Sequence, residues 1–73
     1  MARETIEVPI TGKIIAVSVK PGDKVKEGDT LCTLESMKME NPILSPVDGT
    51  VVEVGVKPEQ AVKPGEMIAV IDY

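Results

Sequence analysis

The sequence predicts an all-β domain, a flattened β-sandwich or barrel made of two similar halves. Gly or Pro recurs every few residues along the 73-residue chain, and β-branched residues dominate between them, which is typical of short strands joined by tight turns. The segment Pro9–Glu35 also aligns without a gap with Pro46–Asp72, at an offset of 37 residues. Nine of the 27 aligned positions are identical, where average residue usage gives about two by chance. The sequence is therefore one motif written twice.

The first strand is predicted over Thr5–Ile10, because Ile6, Val8 and Ile10 recur at every second position. Thr11-Gly12 then marks a turn that leads into the next strand. An alternating apolar pattern of this kind is typical of a strand.

The second strand is predicted over Lys13–Val19, and the repeat indicates which of its faces is buried. In the equivalent segment Thr50–Val56, the last three valines alternate with a glutamate and a glycine. We therefore expect Ile15, Val17 and Val19 to face the core.

Each copy continues with a turn, a lone apolar anchor and a final strand. The turns are predicted at Lys20–Asp23 and Lys57–Gln60, where Pro at the second position already has the required φ. Val25 and Val62 are the anchors. The final strands are predicted over Thr30–Leu34 and Met67–Ile71. About four short strands per copy bury too little to fold alone, so we expect the two copies to close face to face about a pseudo-twofold axis.

The amino-acid composition argues against several classes of function. Residues 1–73 form one small domain that is 42% hydrophobic. A net charge of −4 and a single aromatic residue argue against nucleic acid as a partner, because phosphate binding needs clustered basic residues and base stacking needs rings. The chain has no His, the commonest general base and metal ligand. An enzyme that acts alone is not expected.

The compartment is predicted from two further observations. The single Cys forms no internal disulfide, so nothing indicates an oxidising environment. No apolar run approaches the length of a membrane span, and the N-terminus lacks the apolar core of a signal peptide. We expect a cytoplasmic protein, or a matrix or stromal one after processing, that does not insert into a membrane.

The joint between the copies carries the candidate site. Between Leu34 and Ile43 the chain must reverse, with its tip at Met37-Lys38 and the next strand starting near Pro42. A two-residue hairpin there requires positive φ at non-glycine residues, which costs about 1 kcal/mol per residue. Strain tolerated at a tip indicates that the side chains matter.

Lys38 alone would be a solubilising charge on a turn, but two methionines flank it. Exposed methionines are costly in water and suit adaptable contact with a partner. For Met39 an ordinary place in the core is the alternative.

The stretch Glu35-Ser36-Met37-Lys38-Met39, set between two similar β halves, resembles the biotin-attachment signature of biotin carboxyl carrier (biotinyl) domains. The resemblance covers about Val8 to Asp72. It implies a capped sandwich (barrel-sandwich hybrid) of two four-stranded antiparallel sheets with internal pseudo-twofold symmetry. Ser36 stands where the commonest form of the motif has Ala. The ungapped repeat leaves no room for the "thumb" insertion of some carriers, so the chain looks like the thumbless type.

The resemblance also implies a function, in which biotin is the cofactor and Lys38 its covalent attachment point. A biotin protein ligase would attach it, a biotin carboxylase would load it, and a carboxyltransferase or decarboxylase subunit would unload it. The parent enzyme would be an acyl-CoA carboxylase, transcarboxylase or decarboxylase, and the domain itself would not be catalytic. The residues expected to contact the ligase are Glu35, Ser36, Met37, Met39 and Glu40. For the two glutamates, simple solvation is the alternative.

Three other functions remain open on the sequence. A lipoyl carrier domain shares this fold, although its modified lysine is typically flanked by Asp and Ala. A soft-metal binder is a different class, in which Cys32, Met37 and Met39 supply sulfur to Cu(I). The third is an unmodified domain that serves only protein contacts. For Cys32 itself, a small core or strand residue is the simpler interpretation.

Overall fold

The β-branched segments form eight strands and no helix among residues 2–73, which are the residues that the computed structural model describes. No described segment is therefore a helix long and apolar enough to cross a membrane. The strands are β1 Arg3–Glu7, β2 Gly12–Val17, β3 Lys24–Val25, β4 Thr30–Ser36, β5 Met39–Leu44, β6 Gly49–Val54, β7 Ala61–Val62 and β8 Met67–Asp72.

The strands pair into two four-stranded antiparallel sheets, which confirms the predicted fold class. One sheet has the order β1-β8-β6-β3 and the other the order β5-β4-β2-β7. The 37-residue offset relates β1 to β5, β2 to β6, β3 to β7 and β4 to β8. Each sheet therefore combines strands from both copies. The expectation that the two copies close face to face, each as one layer, is therefore wrong, because the halves interlock.

The core lies between the sheets and is almost entirely aliphatic. Val25 and Val62 belong to it, as expected for lone apolar anchors. Its buried apolar residues are Ile6, Val8, Ile14, Val25, Leu31, Cys32, Leu34, Val51, Val56, Val62, Ile68, Ala69 and Ile71.

A β-bulge changes which residues of β2 face this core. The register between β2 and β4 shifts between Ile14 and Ala16, so that Ile15 is the extra residue and Ile14 takes the fully buried position. The prediction that Ile15 faces the core is therefore wrong. Val17 and Val19 are half-buried and pack against the core. The same shift occurs at the equivalent point of β6.

The first strand ends earlier than the alternation predicts. β1 covers Arg3–Glu7 instead of Thr5–Ile10, and it pairs with β8. Val8 is buried and donates its N–H to the Glu66 carbonyl at 2.8 Å, but Pro9 has no N–H with which to extend the ladder. Ile10 therefore leaves the sheet and is 42% exposed.

The two predicted proline turns are present and use the same hydrogen bonds. Lys20 N–H donates to Asp23 Oδ2 at 3.0 Å, and Lys57 N–H donates to Gln60 Oε1 at 3.1 Å. Glu59 has a φ of 73° at the position where the first copy has Gly22. No residue pattern in the sequence predicts a positive φ at this glutamate.

Candidate functional site

The hairpin between β4 and β5 has a loop of only two residues. Ser36 pairs with Met39, and between them Met37 and Lys38 have φ values of 53° and 66°. Positive φ at both central residues is the requirement of a type I′ hairpin turn. The predicted tip is confirmed. The strand after it, however, starts at Met39 instead of near Pro42, because so short a loop returns directly into the ladder.

The side chains at this tip project into solvent. Met37 is 92% exposed and Met39 is 66% exposed, so the alternative that places Met39 in the core is wrong. Lys38 is also exposed. Among residues 2–73, no carboxylate lies within 4.0 Å of its Nζ. The amine is therefore accessible to a large partner from the end of the sandwich.

Two carboxylates lie next to the tip on one face of the sheet. Glu35 of β4 is directly opposite Glu40 of β5, and both residues are exposed. Directly opposed like charges destabilise a strand pair, so this arrangement is unfavourable for folding. It creates a small patch of negative potential two to three residues from Lys38, which suits contact with basic groups.

Ser36 fixes the base of the hairpin to the neighbouring loop. Its hydroxyl donates a hydrogen bond to the Thr11 carbonyl at 2.9 Å. Gly12 permits a close approach there, since a Cβ at that position would overlap the Glu35 carbonyl oxygen. The alanine of the common motif lacks this hydroxyl, so Ser36 adds a contact between the hairpin and the β1–β2 loop.

The structure brings residues outside the motif to the same place. An open groove beside the hairpin contains Ile10, Thr11, Gly12 and Lys13 on one side and Glu35 to Lys38 on the other. No motif in the sequence marks the first four as site residues. The sequence draws attention to Ile10 only through the repeat, which makes Ile10 and Val47 equivalent positions.

Cys32 lies away from the tip and inside the core. It is fully buried in β4, and Met37 follows five positions later, about 15 Å along the direction of the strand. Burial raises the pKa of its thiol to about 11. The three sulfur atoms therefore cannot bind one Cu(I), and the soft-metal alternative is wrong. The prediction that Cys32 is a small core residue is confirmed.

Comparison with known proteins agrees with this geometry. The sequence model of the Biotin_lipoyl family, described as "Biotin-requiring enzyme", matches residues 4–71. The chain is 61% identical over 69 residues to a "Biotinylated protein TB7.3 homolog" from Mycolicibacterium smegmatis, a match covering 94% of this chain and 97% of that protein. It is 58% identical over 40 residues to glutaconyl-CoA decarboxylase subunit gamma from Acidaminococcus fermentans, over 55% of this chain and 28% of that subunit.

Two solved structures show the same fold inside much larger proteins. The urea carboxylase of Kluyveromyces lactis superposes with a TM-score of 0.89 and 28% identity, over 99% of this chain and 6% of that one. A single-chain, multi-domain long-chain acyl-CoA carboxylase gives a TM-score of 0.86 and 28% identity, over 93% of this chain and 7% of that one.

A family model that matches residues 4–71 and a full-length relative at 61% identity show the class of protein. The chain belongs to the Biotin_lipoyl family. Within that family it is a biotinyl domain, and biotin is its cofactor. The class and the sheet architecture expected from the Met-Lys-Met motif and the repeat are confirmed.

Proposed function

We propose that Lys38 is the residue to which a biotin protein ligase attaches biotin. The biotinylated domain then carries carboxyl groups from a biotin carboxylase to a carboxyltransferase or decarboxylase of the same enzyme. The observation that supports this proposal best is the two-residue loop, which holds Lys38 at positive φ between two exposed methionines. The relatives named for carboxylase and decarboxylase activity support the class of parent enzyme, namely an acyl-CoA carboxylase, transcarboxylase or decarboxylase.

The lysine supplies the nucleophile for attachment. Its neutral amine attacks the carbonyl carbon of the biotin acyl-adenylate on the ligase, the new C–N bond forms, the bond from that carbon to the phosphate oxygen breaks, and AMP leaves. The ammonium must lose its proton first. The chain has no His, and no described carboxylate lies within 4.0 Å of Nζ, so the ligase provides the base.

The residues around Lys38 provide recognition. Met37 and Met39 offer two adaptable apolar contacts, one on each side of the amine. Glu35 and Glu40 offer two carboxylates on one face, which suit basic groups of the ligase. Ser36 holds these contacts in place through its hydrogen bond to the β1–β2 loop.

The same geometry suits a carrier. Bound biotin supplies a ureido ring that accepts and returns a carboxyl group. Amide formation removes the charge of Lys38, so the side chain becomes a neutral tether on a rigid hairpin. Tethering raises the effective concentration of the group at each partner site, and the domain needs no catalysis of its own. We expect it to act in the cytoplasm, since its single cysteine is a buried thiol.

Replacement of the lysine tests the proposal. We expect Lys38→Arg to fold as the wild type does and to gain no biotinyl group with biotin, ATP and a biotin protein ligase, because a guanidinium is not a nucleophile under these conditions. Intact-mass spectrometry measures the modification.

Lys57→Arg is the matched control, since Lys57 is an exposed lysine outside the groove, and it should be modified fully. A biotinyl group on Lys38→Arg would refute the assignment. A lipoate ligase should leave the wild type unmodified, and a lipoyl group there would favour the lipoyl alternative instead.

A further inference from the structure

Ile10 places an exposed aliphatic side chain beside the lysine hairpin. It is 42% exposed and lines one side of the groove that has Met37 and Lys38 on the other. The groove is open to solvent and its surface is mostly apolar, although the charged residues Lys13, Glu35 and Lys38 also line it. An apolar surface of this kind next to a site of modification suits contact with a protein.

The repeat indicates that the fold does not require Ile10 to be exposed. The equivalent residue of the second copy is Val47, which follows the equivalent proline but is half-buried and packs against the core. Two positions with the same backbone role therefore differ in where their side chains lie. Only the side chain near Lys38 remains in water.

A hydrogen bond joins the two sides of the groove before any partner binds. Ser36 of the hairpin donates its hydroxyl to the Thr11 carbonyl, the residue after Ile10, at 2.9 Å. The β1–β2 loop and the tip therefore form one preorganised surface, so a partner that binds the tip pays little to order the loop.

We propose that Ile10 forms, with Met37, the docking surface of the biotin protein ligase, which inserts an apolar side chain into the groove. The inference rests on the proposed function of Lys38. The ligase fits best because it must bring its catalytic atoms to Nζ, and Lys38 itself lines the groove. A carboxylase needs to contact only the biotin at the end of the long Lys38 arm, so it need not touch the groove. The acidic pair Glu35–Glu40 adjoins the same surface and suits contact with basic groups at the rim of the ligase.

Ile10→Ser tests the inference, with Leu44→Ser as the matched control. Leu44 is 48% exposed and lies at the opposite end of β5 from the hairpin, outside the groove. We expect Ile10→Ser to lower kcat/KM for ligation about tenfold, mainly through KM, because apolar surface is no longer buried in the complex. Leu44→Ser should stay within about twofold of the wild type, and Ile10→Val should retain most of the activity.

Three outcomes overturn the inference while leaving the proposed function intact. One is normal ligation of Ile10→Ser, and another is an equal loss in Leu44→Ser. The third is a change of oligomeric state in Ile10→Ser by sedimentation, which would assign the groove to a second copy of the chain. Failure of the wild type to accept biotin at Lys38 would overturn the proposed function itself, so the two failures are distinguishable.

Discussion

The two ends of the sandwich are equivalent under the repeat but differ in what they carry. At one end β4 and β5 are joined by the Met37-Lys38 loop. At the other end β8 pairs with β1, and Ala2 and Tyr73 exchange two backbone hydrogen bonds of 2.9 Å. The backbone ladder is the same at both ends, so the lysine end owes its differences to its side chains and its loop.

The cross-strand charges next to these two pairs differ between the two ends. The Glu35–Glu40 pair of the lysine end corresponds to Asp72 and Arg3 at the other end. There the Arg3 Nε and Asp72 Oδ1 atoms form an ion pair at 2.8 Å. One end thus has a favourable pair and the other a repulsive one. Repulsion, positive φ and exposed methionines occur together at the lysine end, which supports the proposal that this end serves a partner at some cost in stability.

The largest effect is expected where the two ends are most alike. A Cβ on Gly12 would overlap the Glu35 carbonyl oxygen, and a Cβ on Gly49 would overlap the equivalent Asp72 carbonyl oxygen. We expect Gly12→Ala and Gly49→Ala each to lower the free energy of unfolding by about 3 kcal/mol, because backbone must shift in both. Urea denaturation followed by circular dichroism measures the loss.

The same two variants should differ in their rates of biotinylation when they are tested as ligase substrates. Gly12→Ala displaces Glu35, two residues from Met37, so it should slow biotinylation. Gly49→Ala should not slow biotinylation under conditions where both variants are folded. Equal effects on ligation would mean that the hairpin responds only to global stability.

The sequence predicted the fold and the tip of the hairpin because both depend on patterns that the repeat writes twice. Turn positions and anchors follow from local residue chemistry, and the reversal at Lys38 follows because the second copy restarts the path of the first. The bulge at Ile15 did not, because a bulge is a property of the pairing between β2 and β4 and leaves no mark on the alternation. The groove beside Ile10 was missed for a similar reason, since it depends on how a loop meets a hairpin 25 residues later.

A smaller effect is expected from making the lysine end resemble the other end in charge. Glu40→Arg would place a cation opposite Glu35, as Arg3 lies opposite Asp72. We expect the free energy of unfolding to rise by about 0.5 kcal/mol, because a like-charge cross-strand pair becomes an opposite-charge pair. Ligation should become slower at low salt.

Glu40→Gln is the matched control for this charge change. It removes the repulsion without adding a cation, so its effects on stability and ligation should lie between those of the wild type and Glu40→Arg. If Glu40→Arg were ligated as fast as the wild type at low salt, the acidic pair would have no part in recognition, and solvation would be its role.

The smallest effect on stability is expected at Met39, whose counterpart at the other end is Ala2. Since alanine is sufficient at the equivalent position, the ladder does not require a large side chain there. Met39 is also 66% exposed. Met39→Leu and Met39→Ala should each change the free energy of unfolding by less than about 0.5 kcal/mol. Biotinylation should slow in both, and more in Met39→Ala, because the ligase loses an apolar contact. Unfolding of Met39→Leu would show instead that this methionine supports the structure, and the contrast between the two ends would then no longer indicate a site of recognition.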